Sequence, residues 1–327
     1  MLPKPAITVE CGNFSQFKKQ TIMKKSALIA IVLLCPSFSF AQNIVLKMNL
    51  ENGKTYNQST TTVLTITQDV MGQPVEIEMT IIGEMSFLVK GVSDDVYDME
   101  LQYERLKMEM KMPQMNMAFD TDTPDEQDMM SRLMTSLKNK PFNIKMNSRG
   151  KILEVSNSEN LYSGMMEQMD GMDEMQKIQL KTQMEDSFGP ETLKGNIEMA
   201  TAMFPEQPVD IGDSWAVETK LESSMSMILK SDYQLLESTK EFNKVKGEGV
   251  MSTDDQQGFV ETNGMLMKYN MKGTMSSDIT LDAKSGWPVE ARISQHLAGE
   301  NEMKVTRDAP DTMKIPMEMN STIVMTD

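Results

Sequence analysis

Two cysteines and one histidine are all that the 327 residues contain. Both cysteines, Cys11 and Cys35, lie within the first 41 residues. The remainder can form no disulfide, carries no cysteine nucleophile and has no His/Cys cluster for zinc. His296 sits in Ile293-Ser294-Gln295-His296-Leu297, an alternating stretch with no nucleophile elbow beside it, and reads as an ordinary strand histidine. Aromatic residues are also scarce, with two tryptophans and six tyrosines, so there are few platforms on which a sugar could stack. Paired carboxylates for glycoside hydrolysis are chemically available, since acidic residues occur throughout. Positive charge is in short supply, with 32 Lys and Arg against 48 Asp and Glu. Five lysines and one glutamate precede Gln42, which leaves the rest of the chain at −20. Nucleic acid and anionic headgroups need basic patches and are not expected partners. The acidity reads as a solubility device. No enzymatic activity and no cofactor are expected.

Long hydrophobic runs are missing with one exception. Met23-Lys24-Lys25 is a short basic segment, Ala27 to Phe40 is apolar apart from a few small polar residues and Pro36, and Ser39 and Ala41 place small residues at −3 and −1 of a cleavage site. That order describes a secretory signal peptide at 23–41, too short to span a membrane. Residues 1–22 lack signal character, so Met23 is the expected true start. Cys35 follows Val32-Leu33-Leu34, and Leu34 stands where a lipidation signal wants a small residue. No second run of spanning length follows, and no transmembrane helix is expected in the mature chain. The expected location is periplasmic or extracellular, in a Gram-negative envelope.

What is present is strand-forming sequence. Thr61, Val63, Thr65 and Thr67 alternate with Leu64 and Ile66, and the region 42–122 reads as long antiparallel strands with turns at Met71-Gly72-Gln73 and Gly91-Val92-Ser93-Asp94-Asp95. A helical block is expected over 123–204. Thr123-Pro124-Asp125-Glu126 reads as a capping box opening a helix with Met129, Met130, Leu133, Met134 and Leu137. A hairpin is expected at 142–155. A second helix carries Leu161, Met165 and Met169, a third begins with Met172, Met175 and Ile178, and a fourth starts at Pro190 with Leu193, Ile197, Ala200 and Phe204. The region 205–327 reads as strand again.

The two β regions read as an internal repeat. Leu50-Glu51-Asn52-Gly53-Lys54-Thr55-Tyr56 matches Val209-Asp210-Ile211-Gly212-Asp213-Ser214-Trp215, and the hairpins around Gly150 and Gly286 match in the same way. The expected fold is mainly β with a helical block (α+β), a long-stranded antiparallel open or half barrel covered by helices. The leading Leu-x-x-Gly-Lys-x-Tyr, the helical middle ending in Phe204-Pro205, and Pro208 to Trp215 together resemble secreted proteins of unknown function from Bacteroidota. The resemblance implies an envelope location and an antiparallel β fold, and it carries no catalytic residue. By architecture alone the chain is similar to periplasmic lipoprotein carriers of the LolA kind.

Methionine is the conspicuous excess, with 36 residues, 34 of them after Ala41. Met108, Met110 and Met112 share a strand face, as do Met265 and Met267, and as do Met317, Met319 and Met325 with Ile323. Three readings stand. Methionine can serve as core filler in place of leucine. It can line an apolar cavity under the helices, with Met108, Met110, Met112, Met265, Met267, Met317 and Met319 contacting an apolar small molecule or lipid. Met108, Met110, Met112, Met115 and Met117 can instead offer soft thioethers to copper(I). Met108, Met110 and Met112 are expected to be buried among mixed apolar neighbours. The acidic run Asp120, Asp122, Asp125 and Asp128 lacks the glycine and closing glutamate of a calcium loop and reads as a solvated helix start. The expected role is a non-catalytic envelope protein that binds an apolar ligand, or else a structural or protein-interaction role.

Cleavage after Ala41 is testable directly. Mass spectrometry of the protein isolated from its native envelope is expected to give Gln42, free or cyclised, as the N-terminus. An intact Met23 terminus or a lipidated Cys35 would refute export by this signal.

Overall fold

The structure, a computed structural model, describes residues 43–70, 72–167, 172–221, 225–254, 258–262, 265–304 and 312–327. The leader at 23–41, its cleavage position and Met169 lie outside the described residues. Period-2 alternation of β-branched and polar residues produces long strands. β1 (Thr55–Val70), β2 (Gln73–Ser93) and β3 (Val96–Met112) form a meander, and a short β4 (Met115–Asp120) folds back on β3. Helix α1 (Met129–Thr135), the hairpin β5 (Phe142–Asn147) and β6 (Ile152–Ser156), and helices α2 (Glu159–Glu167), α3 (Glu174–Phe188) and α4 (Pro190–Thr201) follow. The chain then returns to strand with β7 (Ser214–Leu221), β8 (Met227–Ser238), β9 (Phe242–Thr253), β10 (Val260–Thr262), β11 (Met265–Asp282), β12 (Pro288–Lys304) and β13 (Met313–Thr326).

One antiparallel sheet contains all the strands, in the order β6-β5-β3-β2-β1-β13-β12-β11-β9-β8-β7, with β4 on β3 and β10 on β11. The sheet is not closed into a barrel. Two turns fix the register of the first meander. Between β2 and β3 the loop is only Asp94-Asp95, both in the left-handed region (φ 50° and 62°), which is the twist a two-residue hairpin requires. Gly91, expected in that turn, lies inside β2 at a register shift. Between β1 and β2, Gly72 has φ 81° and donates its N–H to Asp69 Oδ1 at 2.6 Å.

The order of strands consists of two similar runs separated by β13, and the hydrogen bonds recur between them. Gly53 N–H donates to Val89 O (2.8 Å), as Gly212 N–H does to Leu235 O (2.7 Å). Val89 N–H returns to Lys54 O, as Leu235 N–H does to Asp213 O. Ser148 N–H donates to Asp95 O, as Ala283 N–H does to Glu241 O. Tyr56 and Trp215 are each the second residue of their strand. Gly150 and Gly286 both have positive φ (75° and 67°), and a Cβ on either would run into a backbone carbonyl, that of Thr201 or of Lys47. Trp287, beside the second of these glycines, is 1% exposed and packs on Tyr56 and Phe87 with ring centroids 5.2 and 5.1 Å away. It closes the bottom of the core.

The helices depart from expectation at their ends. α1 opens at Met129, not near Thr123. Asp128 Oδ2 accepts the Ser131 N–H at 2.6 Å and outcompetes Thr123 as the cap, while Asp125 N–H donates to Ser131 Oγ (2.9 Å) and holds the preceding residues in a turn. α3 begins with a capping box between Asp173 and Gln176, but Met175 and Ile178 point to solvent (79% and 64% exposed). Its inward face is Leu180, Met184 and Phe188, one turn apart from each other. Phe204 is buried beyond the end of α4, which stops at Thr201.

α4 packs against both edge strands, β6 and β7. The edges approach one another beside it, since Lys151 Nζ donates to Glu218 O at 3.2 Å. Glu198 Oε1 accepts the N–H of Ile152, the first residue of β6, at 2.7 Å, and Thr201 Oγ1 donates to Gly150 O at 2.7 Å. The indole of Trp215 donates to Met203 O at 2.7 Å on the β7 side. Burial pushes the Glu198 carboxyl up from its ordinary value, against the opposing effect of the Ile152 N–H and nearby Lys194 and Lys151. A carboxyl whose folded pKa is raised costs stability as pH climbs from its unfolded value through its folded value. Glu198→Gln keeps the acceptor without the charge. It is expected to unfold at higher urea than the wild type at neutral pH, with the difference vanishing below the ordinary carboxylate range. A variant less stable than wild type at neutral pH, with the loss vanishing in acid, would show that the charge itself holds the seam.

Candidate functional site

Cross-strand partners share a face, so the ladder assigns every methionine a side. Met108 pairs with Ile81, Ile81 with Thr62, Thr62 with Ile323 and Ile323 with Ile293. The next rank is Met117, Met110, Met79, Leu64 and Ser321. Met319 lies opposite Ile66 and Leu297, Met317 opposite Gln68 and Gly299, and Met267 opposite Met303. All seven methionines expected at a ligand site therefore project from the same face of one sheet. The other face carries Lys107, Glu109, Lys111, His296 and Glu318. His296 Nδ1 lies 2.9 Å from Asn320 Oδ1 on that polar side, where it is half-exposed.

Helices α1, α3 and α4 lie over part of the methionine-bearing face and enclose a cavity of about 600 Å³. Its floor is Gln58, Thr60 and Thr62 of β1, Ile81, Gly83, Met85 and Phe87 of β2, and Tyr103, Leu106 and Met108 of β3, with Phe119, Ile293, Ile323 and Met325 beside them. Its roof is Met130, Leu133 and Met134 of α1, Leu180, Met184 and Phe188 of α3, and Leu193, Ile197 and Ala200 of α4. This size and lining are typical of sites for small apolar molecules. Tyr103 meets Phe188 edge-on at 6.3 Å, and burial pushes its phenol up to about 12, so it stays protonated. At one end Gln295 Nε2 reaches Met199 Sδ of α4 at 3.5 Å.

Of the seven methionines, Met108 alone lines the cavity. Met110, Met112, Met317, Met319 and Met267 continue the same face beyond it and are half-buried, while Met265 is exposed. The burial expected of Met108, Met110 and Met112 is found only in part, since all three are half-buried. In β2 and β3 the fully covered residues, Val89, Met99 and Leu101, lie toward the end of the sheet near Trp287. The residues that sequence reasoning passed over are Tyr103, Phe119, Met85 and the 180/184/188 face of α3. The last of these had a signal in its spacing of four, masked by the equally apolar Met175 and Ile178.

The hairpin of β3 and β4 brings the candidate copper ligands together, pairing Met110 with Met117 and Met112 with Met115 across the strands. The acidic run is spoken for. Asp120 receives Arg105 through two nitrogens at 2.7 and 3.2 Å, and that pair holds its carboxyl below the usual range. Asp122 pairs with Lys138, Asp125 accepts the Gln127 N–H, and Asp128 caps α1. Among the described residues no group of three or more His, Cys, Asp or Glu is placed to hold a metal ion.

Residues 94–288 match a family of unknown function, DUF6263, over more than half of the chain. The chain belongs to this family. No curated protein matches it. Among solved structures, a lipovitellin structure concerned with lipid–protein interactions is similar at TM-score 0.44 and 10% identity, covering 85% of this chain and 26% of that one. The chain thus spans about a quarter of the length of lipovitellin. An outer membrane channel from Pseudomonas putida F1 aligns at TM-score 0.22 and 5% identity, over 85% of this chain and 97% of that one. OmpF of Salmonella typhi in complex with daunomycin aligns at TM-score 0.21 and 6% identity, over 86% and 99%. Likenesses this low establish no shared function, and none is taken from them. Among the described residues no helix is long and apolar enough to cross a membrane.

Leucine at positions 108, 110 and 112 together is expected to preserve the fold, since each Met-to-Leu exchange costs less than about 1.5 kcal/mol. Urea unfolding measures this. Copper(I) titrated against a competing chelator is expected to stay with the chelator. Stoichiometric binding that the triple variant loses would make the hairpin a metal site.

Proposed function

We propose that this chain is a non-catalytic protein of the cell envelope that binds an apolar ligand, a small molecule or lipid, between its sheet and helices. The observation that carries the reading is the cavity of about 600 Å³ roofed by α1, α3 and α4 and lined mainly by Ile, Leu, Met and Phe, with Gln58, Thr60, Thr62, Gln183, Ser187 and Asn196 among its polar residues. A void lined this way loses dispersion contacts on every side unless something fills it. The methionines at its wall and roof, Met85, Met108, Met130 and Met184, adapt their shape at little cost, which suits a ligand whose form varies. Export by the signal at 23–41 and a carrier role like that of LolA-type proteins are parts of the same reading. The non-catalytic assignment draws support from the lining, where Tyr103 and Lys107 are the only ionisable residues among those described. Burial keeps the first protonated, and the second is paired with Glu109 at 2.9 Å.

Gly83 supplies a clean test. It lines the cavity, and a Cβ there would meet only Leu106 Cδ2, at an ordinary 3.8 Å. Phenylalanine at 83 can enter the void without straining the backbone. The wild type is expected to bind the neutral fluorophore N-phenyl-1-naphthylamine with a blue shift, and Gly83→Phe to lose most of that binding while keeping the far-UV spectrum. Should the phenylalanine disturb folding, Gly83→Leu is the milder filler. A wild type that leaves the fluorophore in water would sink the proposal.

A further inference from the structure

Among the described residues the floor of the cavity has one buried polar atom with no partner. Gln58 Nε2 is buried and makes no hydrogen bond among the described residues. Its residue pairs with Met85, and Met85 pairs with Tyr103, so the Gln58 amide and the Tyr103 hydroxyl share one rank of the sheet, both lining the cavity. That rank lies next to the closed end, where Tyr56 and Phe87 pack on Trp287. A buried donor without an acceptor is costly, and the group that removes the cost brings an oxygen lone pair.

We infer that the ligand is an uncharged lipid with a carbonyl-bearing head, an acylglycerol or similar ester, bound head-first with its carbonyl oxygen at Gln58 and its chain running out along the methionine-bearing face. This rests on the apolar-ligand reading above and narrows it. The donors explain the carbonyl, since an amide N–H and a protonated phenol both give hydrogen bonds to such an oxygen. The charge argues against a carboxylate head. Among the described residues Lys107 is the only basic one at the cavity, and its side chain leaves from the opposite face of the sheet, where Glu109 engages the ammonium. Among the described residues no cation is left inside to neutralise an anion, and a strongly acidic chain repels one.

The length of the track argues for a chain. The cavity occupies β1 from Gln58 to Thr62. The same face continues through Leu64 and Ile66, with Met79, Met110 and Met319 in the ranks beside them, half-buried. From Gln58 to Leu64 is six residues, about 20 Å at the rise of a strand. A bilayer core of about 30 Å is two chains thick, so one acyl chain needs about 15 Å. A chain anchored at Gln58 fills the cavity and emerges onto Leu64, Met79 and Met110. Met79 and Met110 there are half-buried, while Met319 in the same stretch also packs on the core.

The test displaces bound N-phenyl-1-naphthylamine from the whole protein with 1-oleoylglycerol, oleate and 1-octadecene, which share a chain and differ in the head. Oleoylglycerol is expected to displace the fluorophore at a concentration at least about tenfold below oleate or octadecene, the worth of a hydrogen bond gained by a buried donor. Gln58→Met keeps the size of the side chain and removes the donor. It is expected to remove most of that preference while leaving the fluorophore and octadecene unaffected, and Tyr103→Phe to remove part of it. Oleate outcompeting oleoylglycerol, or an unchanged preference in both variants, overturns the inference and leaves the apolar-ligand reading standing. Failure of the fluorophore to bind the wild type overturns both.

Discussion

An open sheet of this length has two edges, and everything above the sheet depends on how they are covered. Unpaired edge N–H and C=O groups would template aggregation if left exposed. Here one helix meets both. α4 packs on β6 and on β7, accepts the first N–H of β6 with Glu198, and donates from Thr201 to the turn that precedes it. Gly150 has no side chain because the Thr201 carbonyl occupies the place where one would be. A buried carboxyl is an expensive acceptor, and its raised pKa records the expense. It is tolerated because the alternative is an unsatisfied strand donor in an equally dry place.

Curling the sheet until its edges flank α4 directs the apolar face of β1, β2, β3, β12 and β13 toward the helices. The helices do not fill the space so made. α3 packs chiefly on α2 and α4, and reaches the cavity with Leu180, Met184 and Phe188 from above. Its other apolar residues, Met175 and Ile178, face water. A roof held by its neighbours and not by the floor leaves a gap of ligand size. Near Trp287, by contrast, the aromatic rings of Tyr56 and Phe87 interlock with the indole at about 5 Å, and all three side chains are buried.

The recurring hydrogen bonds around Gly53 and Gly212, and around Gly150 and Gly286, give the two β regions a common plan. The cavity breaks that plan. β4 and α1 stand between β3 and β5, whereas among the described residues β10 stands alone between β9 and β11, and most of the cavity floor comes from β1, β2 and β3 of the first run. Function, on the reading proposed, belongs to the asymmetry.

Much of this was legible in the sequence, and for a local reason. Side-chain alternation has a period of two residues, so the shared face of Met108, Met110 and Met112, or of Met317 and Met319, follows from spacing alone. Glycines at 53, 150, 212 and 286 marked turns because only positive φ needs them there. The polar setting of His296 and the lack of any cysteine chemistry after residue 41 also needed no structure. Other features depended on partners far away in the chain. Asp128 displaced Thr123 as a cap through Ser131, a competition that spacing does not rank. Tyr103, Gln58 and Gly83 became a cavity floor only when α3 and α4, roughly a hundred residues later, came to rest above them. Seven methionines were equivalent by pattern, and tertiary structure alone decided that Met108 would lie under the helices while the others continued past them, because the reach of a roof is set by long-range packing and leaves no mark on the strand it covers.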